Sequence, residues 1–137
     1  MKKFLAFALV LTLILTMTVA CTTEESPDSA AFEDGTHTAE GELDDHGWQP
    51  VIEILVEDGQ IRSVNYDEEN EAGELKSEDD EYADAMENVS EVRPADAYEQ
   101  LENDLIDSQD VDQVDVVSGA TASSETFKDL AIEALGN

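Results

Sequence analysis

Thr121 closes the run Asp115-Val116-Val117-Ser118-Gly119-Ala120-Thr121, where a hydroxyl stands among some of the smallest residues available. Gly119 accepts backbone angles closed to other residues, and Ala120 adds only a methyl group, so a bulky group can approach the main chain here. Downstream, Phe127, Leu130, Ala131, Ala134 and Leu135 recur at helical spacing and form one apolar face. Gly136 stands where such a helix ends, and Ser123 or Ser124 is predicted to cap its start. Thr121 therefore falls at or just before a helix N-terminus, where free N–H groups and the helix dipole favour a phosphate. The chemistry offered is the holding of a phosphate-bearing group. Small residues before a helix also fit an ordinary loop with serine caps, so the surrounding chain has to decide.

Few other residues offer chemistry. Ser118 with two distant histidines, His37 and His46, is not the signature of a triad, and the carboxylates are too numerous to nominate an acid–base pair. Cys21 is the single cysteine, which excludes an intramolecular disulfide, and no Cys/His cluster points to zinc or iron–sulfur. Any redox group would have to be a cofactor. Trp48 lies in an unusual aromatic loop, His46-Gly47-Trp48-Gln49-Pro50, leading into a strand. Tyr66, Tyr82 and Tyr98 read as core residues with exposed hydroxyls, and His37 and His46 as solvated.

The charge limits the partners. The 137-residue chain carries −29, and without the two lysines of the leader described next the remainder carries −31. Only Arg62, Lys76, Arg93 and Lys128 are positive in it. Nucleic acid and anionic lipid surfaces would both be repelled. An acidic, lysine-poor surface on a chain with periodic apolar residues is expected of a folded protein from a salt-rich habitat, where screening removes self-repulsion. A cation-binding surface is the rival reading, although Asp79-Asp80-Glu81 and Asp110-Val111-Asp112 lack EF-hand spacing.

The elements that must position Thr121 follow a leader. Met1-Lys2-Lys3, an apolar run to Leu15 and small residues before Cys21 read as a secretory signal over residues 1–20. Residues 21–33 read as an acidic tether, whose length as a coil spans about 20 Å. The folded unit is expected over 34–137. Thr36–Gly41 alternates like a first strand, and Val51–Glu57 and Gln60–Tyr66 flank Asp58-Gly59, a strong hairpin signal. Ile52, Ile54 and Val56 share one face, with Val51 and Leu55 on the other, so the sheet is expected to be partly covered on both. Asp67–Ser77 is polar and reads as an exposed loop. Ser77-x-x-Asp80 resembles a capping box ahead of a stripe of Tyr82, Ala85, Met86 and Val89. Pro94 suits the first turn of a further helix bearing Tyr98, Leu101, Leu105 and Ile106. A valine-rich approach through Val111, Val114, Val116 and Val117 leads to the motif. The prediction is an α+β fold: a small antiparallel β-sheet (a β-meander) packed with about three helices.

Asp115-x-x-Ser118-Gly119-Ala120-Thr121, the Asp34-Gly35-Thr36 start, the Asp58-Gly59 turn and this order of elements resemble the FMN-binding domains over residues 34–136. The resemblance implies FMN joined by its phosphate to the Thr121 hydroxyl, with the attachment loop ahead of the C-terminal helix. Ser118, Gly119 and Ala120 would frame the attachment, and Asp115 would be read by the flavin transferase that installs it. Trp48 is the leading candidate partner for the flavin ring, with Tyr66, Tyr82 and Tyr98 as the others and His46 as a residue able to tune it. Cys21 resembles the lipidated cysteine of bacterial lipoproteins, although Thr18 stands where leucine is usual; an uncleaved membrane anchor is the alternative. The function implied is an electron carrier held by lipid at the outer face of a membrane, as in small surface lipoproteins of extracellular electron transfer. The alternatives are an acidic binding module without flavin and a component that relays electrons to a separate reductase.

Overall fold

The computed structural model describes residues 32–136; the leader, Cys21 and the tether to residue 31 lie outside them. Three strands, β1 (Gly35–Glu40), β2 (Gln49–Glu57) and β3 (Gln60–Glu69), form an antiparallel meander in the order β1-β2-β3. The β2–β3 turn has Asp58 and Gly59 both at positive φ (54° and 70°), which matches the right-handed twist of the flanking strands. Asp34 holds this turn from the far side of the sheet, its carboxylate accepting the Gly59 N–H at 2.7 Å.

Three helices follow: α1 (Asp80–Ser90), α2 (Pro94–Ser108) and α3 (Thr121–Leu135). The expected α+β architecture is therefore present. Helix α2 packs on β3, and α3 on β1 and β2. The core joins Ile52, Ile54, Val56, Ile61 and Val64 of the sheet to Leu101 and Leu105 of α2 and Phe127, Leu130 and Ala131 of α3. Tyr66 stands at the centre, edge-on to Tyr98 (4.9 Å between centroids) and Phe127 (5.2 Å). On the opposite face Val51 and Leu55 are half-buried.

Strand β3 is an edge, and α2 closes part of it with side chains. The Glu102 carboxylate accepts the Tyr66 N–H at 2.7 Å. The Gln109 amide accepts the Ile61 N–H at 2.7 Å and donates to the Ile61 carbonyl at 2.9 Å, imitating a neighbouring strand.

Three expectations need correction. Asp67–Ser77 is not all exposed loop: β3 runs on to Glu69, and Glu68 and Lys76 are buried. Glu68 continues the inward alternation of Val64 and Tyr66, with a carboxylate in an apolar position. Helix α1 is capped by Asp79, which accepts the Tyr82 N–H, and not by a Ser77-x-x-Asp80 box; the Ser77 hydroxyl is drawn away to the Asp67 carboxylate. The inward side of α1 carries Ala83, with Tyr82 and Met86 half-buried, while Ala85 and Val89 face solvent.

Candidate functional site

A cleft of about 420 Å³ opens where four segments meet: the loop before β2, the end of β3 with the turn after it, α1, and the start of α3. The loop before β2 is organised by Asp44. Its carboxylate accepts the backbone N–H groups of His46 (2.8 Å) and Trp48 (2.9 Å), and its own N–H donates to the Trp48 carbonyl. Burial pushes the Asp44 carboxyl up, but the two N–H donors prevail and hold it below the usual range. Gly47 takes φ +86° to complete the turn. The result sets Trp48 into the cleft wall, 8% exposed and edge-on to Tyr82 at 6.0 Å.

The deeper wall is polar. Lys76 pairs with Glu68 (Nζ to Oε2, 2.6 Å), and both side chains are buried. The other carboxylate oxygen, Oε1, accepts from Ser123 Oγ (2.9 Å), the Tyr98 hydroxyl (3.0 Å) and, at 3.4 Å, the Tyr66 hydroxyl. The hydroxyls of Tyr66 and Tyr98, expected from the sequence to be exposed, are instead turned onto a buried carboxylate. Burial first, and then the Glu68 charge, raise both above the ordinary tyrosine range. The Lys76 ammonium lies 4.6 Å from the Tyr82 ring centroid and 5.7 Å from that of Trp48. Burial alone would lower its pKa; the bond and charge of Glu68 outweigh this and raise it.

The start of α3 supplies the remaining side. Gly119 has φ +87°, and a Cβ there would run into the Ser90 carbonyl and the Val92 side chain. Only glycine meets both demands. Ala120 is the N-cap and contributes no capping side chain, so neither Ser123 nor Ser124 serves as the predicted cap. Ser124 lies inside the first turn, where its Oγ accepts the Val117 N–H at 3.0 Å and donates to the Ala120 carbonyl at 2.8 Å. This buried serine locks the loop onto the helix, while Ser123 reaches across to Glu68. Thr121 is the first residue of α3, exposed and lining the cleft.

Gly119, Ala120, Thr121 and Trp48, singled out in the sequence, thus line one cleft, joined by His46 and Tyr82. Asp115 and Ser118 are exposed and do not line it. His37 is elsewhere, hydrogen-bonded through Nε2 to the Glu33 carbonyl at 2.7 Å. Cys21 lies outside the described residues. Among the described residues, no three His, Cys, Asp or Glu side chains are grouped as a metal ion would require. The sequence reading missed Glu68, Lys76 and Ser123. A usable signal existed in the rarity of cations: Lys76 is one of only four lysines and arginines outside the leader, against 35 acids.

The family described as the FMN-binding domain matches residues 47–136. The chain is 33% identical over 102 residues to the 15 kDa lipoprotein of Treponema pallidum (strain Nichols), covering 74% of this chain and 72% of that protein. The crystal structure of the CPE2226 protein from Clostridium perfringens has a TM-score of 0.74 at 42% identity, covering 77% of this chain and 88% of that one. A solution NMR structure of a Clostridium thermocellum protein gives a TM-score of 0.53 at 26% identity, covering 76% and 90%. The family match takes in Trp48, Glu68, Lys76, α1 and the whole start of α3. This chain belongs to the FMN-binding domain family.

Proposed function

We propose that the protein is an extracytoplasmic electron carrier, held to a membrane through a lipidated Cys21, with FMN joined by its phosphate to the Thr121 hydroxyl. The observation that carries this reading is the position of Thr121: first residue of a helix, exposed, on the wall of a cleft that Trp48 and Tyr82 line with aromatic surface. The residues fit such a group. The cleft volume lies within the range of about 300–1,000 Å³ usual for small-molecule sites. Gly119 lets the loop lie against α1 with Thr121 on the cleft wall, and no capping side chain takes the first-turn N–H groups of α3.

When bound, the flavin supplies one- and two-electron transfer, which no side chain here provides. The chain's own residues have simpler tasks. The first turn of α3 receives a negative phosphoester with its N–H groups and dipole. Trp48 and Tyr82 shield one side of the cleft from water, and Asp44 fixes the loop that carries Trp48. Asp115, exposed on the approach to the motif, is available to a modifying flavin transferase. The Treponema pallidum relative named as a lipoprotein supports the lipid anchor.

Thr121→Ala and Thr121→Ser test the reading, each co-expressed with the host's flavin transferase. The alanine variant is expected to fold and lose all protein-linked flavin, and the serine variant to retain some. Protein-linked flavin in the alanine variant refutes attachment at this residue.

A further inference from the structure

Lys76 and Glu68 form the part of the cleft wall that holding and shielding a flavin leave unused. Among the described residues, Lys76 is the only lysine or arginine that lines the cleft. Taking an ammonium and a carboxylate out of water costs several kcal/mol per ion, roughly, and a well-packed apolar pair often serves stability as well. A purely structural account therefore explains the pair poorly. Glu68 is saturated: one oxygen accepts from Lys76, the other from Tyr98, Ser123 and Tyr66. Lys76 has three donors and gives one to Glu68, while its charge sits against the faces of Tyr82 and Trp48. The positive end of the pair thus lies among the aromatic residues of the cleft, and the negative end is tied back into the core. Ser123, two residues after Thr121, fixes that polarity relative to the attachment point.

We propose that Lys76 is a positioning residue for the redox chemistry of the cleft: its ammonium raises the reduction potential of a flavin seated there by stabilising the negative charge that reduction places on the ring. Glu68 acts through Lys76 and sets how much of that charge the ring feels. The inference rests on FMN being carried at Thr121. In a reductive titration dithionite is oxidised to bisulfite, releasing two electrons and two protons. Both electrons and one proton pass to the ring, the second proton stays in solution, and one negative charge remains on the ring. No bond to the protein forms or breaks.

The test is the midpoint potential of the flavin-loaded protein and two variants, with flavin content fixed beforehand by mass. Glu68→Gln keeps the shape and leaves the ammonium uncompensated, so its potential is expected to rise. The double variant Glu68→Gln/Lys76→Met removes both charges without stranding a buried carboxylate, and its potential is expected to fall below that of the parent. Each step should change the reduction equilibrium constant at least tenfold, about 30 mV for a two-electron couple. A packing defect would shift both variants in the same direction. Equal potentials, or shifts of one sign, in fully flavin-loaded proteins overturn the role of Lys76 and leave the carrier reading standing. A parent protein without flavin on Thr121 overturns both.

Discussion

Gly119 answers two demands at once, a left-handed backbone angle and the close approach of α1 through Ser90. Gly136 also has positive φ, at the end of α3, but a Cβ there would meet open space. The pair separates conformation from contact. Gly136→Ala should cost about 1 kcal/mol from the left-handed angle alone. Gly119→Ala adds overlap with rigid backbone and should cost about 3 kcal/mol in all. Urea unfolding of the two variants checks this; equal midpoints would mean that the Ser90 contact does not constrain the loop. The small residues around Thr121 were legible in the sequence, but they acquired meaning only from the Asp115 position and the order of elements around them, since small residues before a helix also fit an ordinary loop. That Gly119 faces α1 was not legible, since nothing in local spacing shows which distant carbonyl will approach.

At the scale of elements, the Glu68 network ties β3, α2, α3 and the turn bearing Lys76 together, and it should be visible in alkali. Tyr66 and Tyr98 have hydroxyls raised above the usual range, by burial and then by Glu68, and Lys76 is raised by Glu68 against the pull of burial. Each holds its proton more firmly folded than unfolded. The stability this contributes is therefore fully present below the unfolded values, about 10 for tyrosine and about 10.4 for lysine, and is lost as pH rises through the folded ones. Unfolding free energy should be level from pH 7 to 9 and fall above about pH 10, with a shallower fall in Tyr98→Phe. A level profile to pH 11.5 would contradict the network. The hairpin around Asp58-Gly59 and the apolar faces of α2 and α3 could be read from periodicity alone. The Glu68–Lys76 pair could not. A carboxylate in strand alternation reads as solvent-facing, and its partner lies eight residues on, beyond a turn that breaks any period. The true cap of α1 escaped for a similar reason, because the tertiary bond to Asp67 removes Ser77 from the contest.

For the whole molecule, the excess of acids acts against compactness. Of the four cations outside the leader, Lys76 is committed to Glu68, and Arg93 bridges Asp84 and Glu87 of α1 at 2.9 and 2.8 Å. Most of the negative charge is thus left to repel itself, and salt should relieve it. Relief of about 1 kcal/mol would raise the melting temperature of a domain this size by about 4–8 °C. A thermal melt in 0.1 M and 2 M KCl checks this, and an indifferent melting point would rule out adaptation to a salt-rich habitat. The same charge would discourage a free anionic nucleotide from staying in the cleft, and the proposed covalent link would hold one there against that repulsion. That link is the central claim. Intact mass of the mature protein, co-expressed with its host's flavin transferase and followed by peptide mapping, tests it most directly. An FMN-sized addition on the peptide containing Thr121 is the predicted result. An unmodified peptide, with the transferase active on a control substrate, would contradict it.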